Sequence, residues 1–433
     1  MRTIRPLASR KALIVVPADK SISHRALLVS SLAAGTTMID NLLYSEDTIA
    51  TLDAVQKLGV RVVRDQKVAV TGCHGVYPRG NCSLDLHESG TSLRLLAGIL
   101  SAQKYAYVLK AEPSLQKRPM GRVTVPLRSM GARIQGRMTG QEEYPPLSIE
   151  PVAGLKGIDY RLPVQSAQVK SAILFASLSA AGKTVITEMV PTRDHTERML
   201  SIFGAKISRK GDRIMIARSA LKNVPYLFVP GDISSAAFFC VLGLLLRNSE
   251  IFMEKIGINP TRTGLLNVLK RMGGSIKIVN ANHDYFEPYA DILVTSSRLK
   301  ACTVTPREIP SLIDELPILF LCAARAEGTS LFKGIEELRV KEADRIRSML
   351  YNLQQCGVRC GSKREGMSET VFIEGTKRFN KKARFKSFGD HRTAMSCVVA
   401  GLLAEKPVTI DDTGCINKSF PEFMDIVQAL YAL

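Results

Sequence analysis

Three short stretches of the sequence have the makings of an anion site: Lys20-Ser21, Ser89-Gly90-Thr91 and Ser166-Ala167-Gln168. Each reads as the first turn of a helix, where backbone N–H groups lack intrahelical partners and the macrodipole adds about half a positive charge. Such ends hold phosphate, and two of the three have an arginine nearby, whose planar fork suits phosphate or carboxylate. One start of this form alone is commonly just a cap. Company changes that reading: Lys20, Arg25, Arg94, Arg118, Arg193, Lys341, Arg345, Arg392 and Lys418 all lie in or beside these polar starts and turns. Two unit charges 4 Å apart attract by about 1 kcal/mol in water and about 4 kcal/mol in a partly desolvated cleft, so such cations gain most in a site that closes.

The elements that must position them repeat. Six segments follow one plan: a polar start, an apolar helical run, a small-residue turn, a short strand, a polar turn and a second helix closing near glycine. They start at Ser21, Ser89, Ser166, Asp232, Leu312 and Asp390, and several close on a Gly, as at Gly59, Gly131, Gly204 and Gly357. The starts lie about 65 to 80 residues apart, longer than a solenoid rung, so each unit is a compact sub-fold. Ile22, Ala26, Val29 and Leu32 show the helical stripe, and Thr184–Thr187 and Val408–Asp411 read as short strands after a breaker. The class is α/β. Three units precede Val229-Pro230-Gly231-Asp232 and three follow it, which predicts two domains hinged there.

Composition narrows the function. With 433 residues, 45% of them apolar, two or more domains are expected. The net charge of +19 attracts anions, but aromatics are 6% and Trp is absent, which leaves few stacking platforms for nucleic acid. The basic run Lys377–Lys386 reads as a solvated loop. The longest apolar run, Ala236–Leu246, is shorter than the roughly 20 residues a membrane span needs, and the N-terminus lacks a leader pattern. A cytoplasmic protein is expected. Nine scattered cysteines fit reduced thiols, and Cys356 with Cys360 fits core packing better than a metal site. Neither metal nor cofactor is expected.

Longer motifs carry a resemblance across nearly the whole chain. Pro17-Ala18-Asp19-Lys20-Ser21-Ile22-Ser23-His24-Arg25, Gln116–Arg122, Ser166–Lys170, Arg193–Glu197, Asn259–Arg262, Leu338–Arg345 and Gly389–Arg392 resemble the signatures of the 5-enolpyruvylshikimate-3-phosphate synthases, members of the enolpyruvyl transferase family. The resemblance implies two globular domains, each of three βαβαββ units in an inside-out α/β barrel arrangement, with the active site in the cleft between them. Residues 16–229 would form the first domain, and 1–15 with 230–433 the second. It implies enolpyruvyl transfer from phosphoenolpyruvate to the 5-hydroxyl of shikimate 3-phosphate, with release of phosphate, by a monomer.

Carried onto this sequence, Lys20, Ser21, Arg25, Ser166, Ala167, Gln168, Thr192, Arg193, Asp314 and Lys341 would hold shikimate 3-phosphate. Lys20, Gly90, Arg118, Gln168, Arg345, Arg392 and Lys418 would hold phosphoenolpyruvate. Asp314 would take the hydroxyl proton and Glu342 would exchange a proton at the methylene carbon, with Lys20 a third proton-transfer group. Taken singly these residues have plainer readings: Asp314 as a helix-start charge, Glu342 as the ion-pair partner of Arg345 or Lys341, and the arginines as surface pairs.

Two positions depart from the family pattern. Ala18 stands where glycine is usual, which would strain the loop if that position needed positive φ. Glu88 stands where asparagine is usual, and its charge opposes phosphate, so that amide contact is not carried over; binding of phosphoenolpyruvate and of the competing herbicide glyphosate both depend on this region. A sister transferase acting on a uridine diphosphate sugar typically carries a cysteine in the loop where this chain has Ser114–Met120, which has no thiol. A nucleic-acid-binding protein would fit the charge, but no helix-turn-helix, zinc or aromatic sheet motif accompanies it.

Overall fold

The computed structural model of the chain describes residues 1–366, 368–379 and 383–432. The chain divides into two compact units, one of Ala18–Val229, the other of Met1–Pro17 with Pro230–Leu433.

The 18–229 unit contains α1 (Lys20–Leu32), α2 (Glu46–Lys57), α3 (Gly90–Leu100), α4 (Gly121–Ser129), α5 (Ala167–Ser177) and α6 (His195–Ile202). They alternate in character. In α1, α3 and α5 nearly every residue is buried, whereas α2, α4 and α6 bury about one side. The stripe expected along Ile22, Ala26, Val29 and Leu32 is buried, but so are Leu27, Leu28, Ser30 and Ser31. What permits all-round burial is that the polar residues are largely small hydroxyls that satisfy themselves on their own helix. Ser31 donates to the Leu28 carbonyl, Ser101 to Ala97, Ser171 to Ala167 and Ser177 to Ile173. Glycine adds close approach: a methyl on Gly98 of α3 would lie 2.2 Å from the Ala172 carbonyl oxygen of α5.

Helices α3 and α5 each sit in a crossover between parallel strands. Cys82–Asp85, Tyr107–Lys110, Glu142–Glu150 and Arg133–Thr139 form one sheet in that spatial order; Asp159–Arg161, Lys183–Thr187, Arg213–Ala217 and Ile207–Lys210 form the next. In both, the first pair is parallel and the other two are antiparallel, so the chain reads βαβαββ. The third sheet repeats the order with Thr36–Asp40, Val68–Thr71 and Arg61–Arg64, but its first strand is Tyr226–Phe228, from the far end of the unit. The all-round buried helices lie inside and the sheets outside, because those helices have no polar face to turn to solvent.

The other unit has the same plan with α7 (Ile233–Leu245), α8 (Gly264–Arg271), α9 (Leu316–Ala323), α10 (Arg345–Gln355), α11 (His391–Leu402) and α12 (Phe423–Ala432). Here α7, α9 and α11 are the buried helices. The start of the chain completes two of the sheets: Lys11–Ile14 runs parallel to Glu250–Gly257, and Arg2–Ile4 antiparallel to Val408–Ile410. Phe238, Phe239, Phe420 and Phe423 meet edge to face or tilted, packing the middle of α7 against the start of α12.

The basic run at 377–386 is not simply a solvated loop. Residues 380–382 lie outside the described residues, but Arg384–Phe385 is a short strand parallel to Val408–Ile410, and its Phe385 is buried. All nine cysteines are free, Cys356 and Cys360 among the buried ones. Among the described residues no cluster of His, Cys, Asp or Glu suits a metal ion, and no helix is long and apolar enough to cross a membrane.

Candidate active site

In the 18–229 unit the three singled-out stretches are indeed helix starts. Asp19 caps α1, its carboxylate accepting from Ile22 N at 2.9 Å; Ser89 caps α3 by accepting from Ser92 N, and Ser166 caps α5 by accepting from Val169 N. Lys20 opens α1 and pairs with Asp47 Oδ2 at 2.8 Å, a partner the sequence reading missed. Arg25, one turn further on, is buried: its guanidinium donates to the Ser21 carbonyl at 2.9 Å, Thr196 Oγ1 at 2.6 Å and Ser171 Oγ at 2.9 Å. These three neutral acceptors orient it.

At the start of α3, Arg94 Nη1 donates to the Gly90 carbonyl at 3.2 Å and to Gln168 Oε1 at 2.8 Å, while Gln168 Nε2 donates to Thr91 Oγ1 at 3.0 Å. The starts of α3 and α5 are thereby joined through one amide. Gly90 sits tight against the cations, since a methyl there would lie 2.8 Å from Arg94 Nη1 and 3.0 Å from Arg118 Nη1. Arg118 ends the 3₁₀ turn Leu115–Lys117. Behind these starts runs a buried polar chain, His24 Nδ1 to Thr51 Oγ1, to Ser92 Oγ, to Ser89 Oγ, each step 2.6 Å. Burial, with Lys20 and Arg25 adding to it, pushes the His24 pKa well below the ordinary histidine value and keeps the ring neutral.

Thr192 and Arg193 lie in the segment leading into α6. Thr192 is buried and its hydroxyl donates to Glu188 Oε2 at 2.9 Å. Ala18 is buried but is not among the residues with positive φ, so its methyl causes no backbone strain, and Glu88 accepts a hydrogen bond from Ser114.

In the other unit the candidates gather around one guanidinium. Arg345, the first residue of α10, is 1% exposed. Its Nε donates to Asp390 Oδ2 at 2.8 Å, Nη1 to Asp314 Oδ1 at 3.2 Å, and Nη2 to Glu342 Oε2. Burial opposes its charge, but Asp390, Glu342 and Asp314 outweigh that and hold its pKa above the ordinary arginine value. Asp390 does two jobs: Oδ1 caps α11 by accepting from the Arg392 and Thr393 amides at 2.9 Å, and Oδ2 orients Arg345. Burial would raise the Asp390 pKa, yet Arg345 and His391 hold it below the ordinary aspartate value.

Arg392 in turn donates to the Asp314 carbonyl at 2.9 Å. Asp314 lies in a 3₁₀ turn, Ile313–Glu315, ahead of α9. The Leu338–Arg345 motif is folded by its own charges: Arg339 pairs with Asp344 at 2.5 Å, and with Glu369, while Asp344 caps α10 through Arg347 N. Lys341 and Glu342 occupy the bend so formed. Burial pulls the Lys341 pKa down, with Asp314 the strongest opposing charge. Lys418 ends the turn Gly414–Lys418, which packs on α11. Asp314, Glu342, Arg345 and Arg392 are thus brought together. The role of Asp390 was missed, although an aspartate just before an apolar helical run is a readable cap signal.

The chain matches the family model described as EPSP synthase (3-phosphoshikimate 1-carboxyvinyltransferase) over residues 4–427. It is 42% identical to the 3-phosphoshikimate 1-carboxyvinyltransferase of Petrotoga mobilis, over 99% of each chain. To that of Bacillus subtilis it is 42% identical over 96% of each. Among solved structures, the EPSP synthase of Acinetobacter baumannii superposes with a TM-score of 0.87 at 41% identity, covering 99% of this chain and 97% of the other.

Proposed function

The chain belongs to the EPSP synthase family, and we propose that it transfers the enolpyruvyl group of phosphoenolpyruvate to the 5-hydroxyl of shikimate 3-phosphate, releasing phosphate. The observation that best supports this is the meeting of Asp314 and Glu342, the two carboxylates such chemistry requires, on the buried Arg345 guanidinium.

Shikimate 3-phosphate is assigned to Lys20, Ser21, Arg25, Ser166, Ala167, Gln168, Thr192 and Arg193, with Asp314 and Lys341. Phosphoenolpyruvate is assigned to Lys20, Gly90, Arg118, Gln168, Arg345, Arg392 and Lys418, whose arginine forks suit its carboxylate and phosphate. In the addition step Glu342 gives a proton to the methylene carbon of phosphoenolpyruvate. The 5-hydroxyl oxygen bonds to the adjacent carbon as its proton passes to Asp314. A tetrahedral intermediate results. In elimination Glu342 recovers a proton from the new methyl group, the carbon–oxygen bond to phosphate breaks, and the departing phosphate takes up the proton lost by the hydroxyl, with Lys20 assigned as the third proton-transfer group. The cations stabilise the negative charge at each stage.

The enzyme works as a cytoplasmic monomer with these two small molecules and no nucleic acid. The test mixes both substrates and follows phosphate release, omitting each in turn. Release that does not require shikimate 3-phosphate contradicts the reading, and a molecular mass by light scattering above that of one chain contradicts the monomer.

A further inference from the structure

Lys170 is the most deeply buried cation beside the assigned shikimate 3-phosphate residues, yet it is assigned to neither substrate. It lies in α5 one turn after Ser166, with its side chain 0% exposed. Its ammonium donates to both oxygens of Glu188, at 3.2 and 3.1 Å, and to the Thr192 carbonyl at 3.3 Å, and it pairs with Glu197 Oε1 at 2.7 Å. Glu188, which follows the strand Lys183–Thr187, passes this on: Oε2 accepts from the Thr192 amide at 3.2 Å and its hydroxyl at 2.9 Å. Oε1 also accepts from Arg209 at 2.7 Å. Glu197 belongs to the first turn of α6, whose neighbouring Thr196 accepts from Arg25 and is 2.7 Å from Ser171.

A buried ammonium costs several kcal/mol in lost hydration unless closely compensated, and a methionine of similar volume would avoid that cost. The cluster is therefore expensive for packing alone. What it accomplishes is geometric. One ammonium ties the start of α5, which carries Ser166 and Gln168, to the backbone at Thr192, next to Arg193, and to the start of α6.

We infer that Lys170 is a positioning residue for shikimate 3-phosphate: through Glu188 and Glu197 it sets the spacing between the α5 start and the Thr192-Arg193 segment, and so selects for this substrate's phosphate and ring. This rests on the proposed function. Phosphoenolpyruvate, assigned to other groups apart from Lys20 and Gln168, is little affected.

The test measures calorimetric binding of shikimate 3-phosphate alone and, in the phosphate-release assay, a separate KM for each substrate, for the full-length chain and for Lys170→Met, Lys170→Arg and Glu197→Gln. Lys170→Met is expected to weaken shikimate 3-phosphate binding about tenfold or more, equivalent to about 1.4 kcal/mol, with the phosphoenolpyruvate KM changed less than about twofold. Lys170→Arg should recover part of that loss. If Lys170→Met does not fold, Glu197→Gln carries the test, since it keeps the side-chain volume and the Lys170–Glu188 pair; about a threefold weakening for the same substrate alone is expected. Equal weakening for both substrates, or none, overturns the inference and leaves the enzyme reading intact. Failure of the unaltered chain to bind shikimate 3-phosphate overturns both.

Discussion

In the 18–229 unit the buried arginines lean on neutral groups: Arg25 on a carbonyl and two hydroxyls, Arg94 on a carbonyl and an amide. In the other unit Arg345 lies against three carboxylates. Neutral acceptors fix a guanidinium's direction while leaving its charge available to an incoming anion. Carboxylates fix it more strongly but offset the charge, and an anion binding there must compete with at least one of them. The first arrangement suits holding a substrate, and the second suits a place where carboxylates are themselves reactants.

The largest effect should come from removing the shared cation. Arg345→Met leaves Asp314, Glu342 and Asp390 facing one another, with Asp390 fully buried, and breaking a buried pair in this way typically costs about 3–5 kcal/mol. Arg25→Met strands the Thr196 and Ser171 hydroxyls and the Ser21 carbonyl, at about 1–3 kcal/mol. Denaturant unfolding of the two variants measures the contrast, and equal losses would erase it. Enzyme activity should be lost in Arg345→Met.

Next come the carboxylates. Glu342→Gln and Asp314→Asn should each lower turnover by about 10²–10⁴, while calorimetry still shows shikimate 3-phosphate bound. Near-normal turnover in either removes that residue from proton transfer and weakens the claim that the carboxylate-rich cluster is the reacting one.

The contrast between the units was partly readable beforehand. Helix starts such as Lys20-Ser21 and Ser166-Ala167-Gln168 announce themselves locally, because caps and macrodipoles act within one turn. The sixfold repeat was visible for the same reason, each copy carrying its own turn signals. Partners were not. Asp47 lies 27 residues from Lys20, and Glu188 lies 18 from Lys170, so only tertiary packing brings them together. The all-round burial of α1, α3 and α5 was also hidden, because serines that bond to their own helix look polar in a sequence and behave as small apolar residues in a core.

A smaller effect should follow from crowding the neutral side of the contrast. Gly90 does not have positive φ, so Gly90→Ala keeps the backbone, and its methyl presses on the ends of Arg94 and Arg118. The KM for phosphoenolpyruvate should rise about tenfold, about 1.4 kcal/mol, with shikimate 3-phosphate binding unchanged. Equal rises in both would mean that the α3 start serves both substrates.

The smallest effect separates the units by pH. His24 is buried and neutral with its pKa well below 6.5, whereas the unfolded chain protonates it near 6.5. Below that value the unfolded state binds the extra proton, so stability is full above about pH 6.5 and declines as pH falls from there toward the folded pKa. Asp390, with its pKa below the ordinary aspartate value, contributes stability that is present above the unfolded value of 3.8 and lost only as pH falls further. Unfolding temperatures of the native chain and of His24→Asn, compared from about pH 7 to about pH 5, should converge as pH drops, because the variant lacks the penalty of an unprotonated buried ring. If the two curves stay parallel, the imidazole and hydroxyl chain behind the α1 and α3 starts is insensitive to protonation, and the distinction between a neutral scaffold and a charged one does not extend to pH.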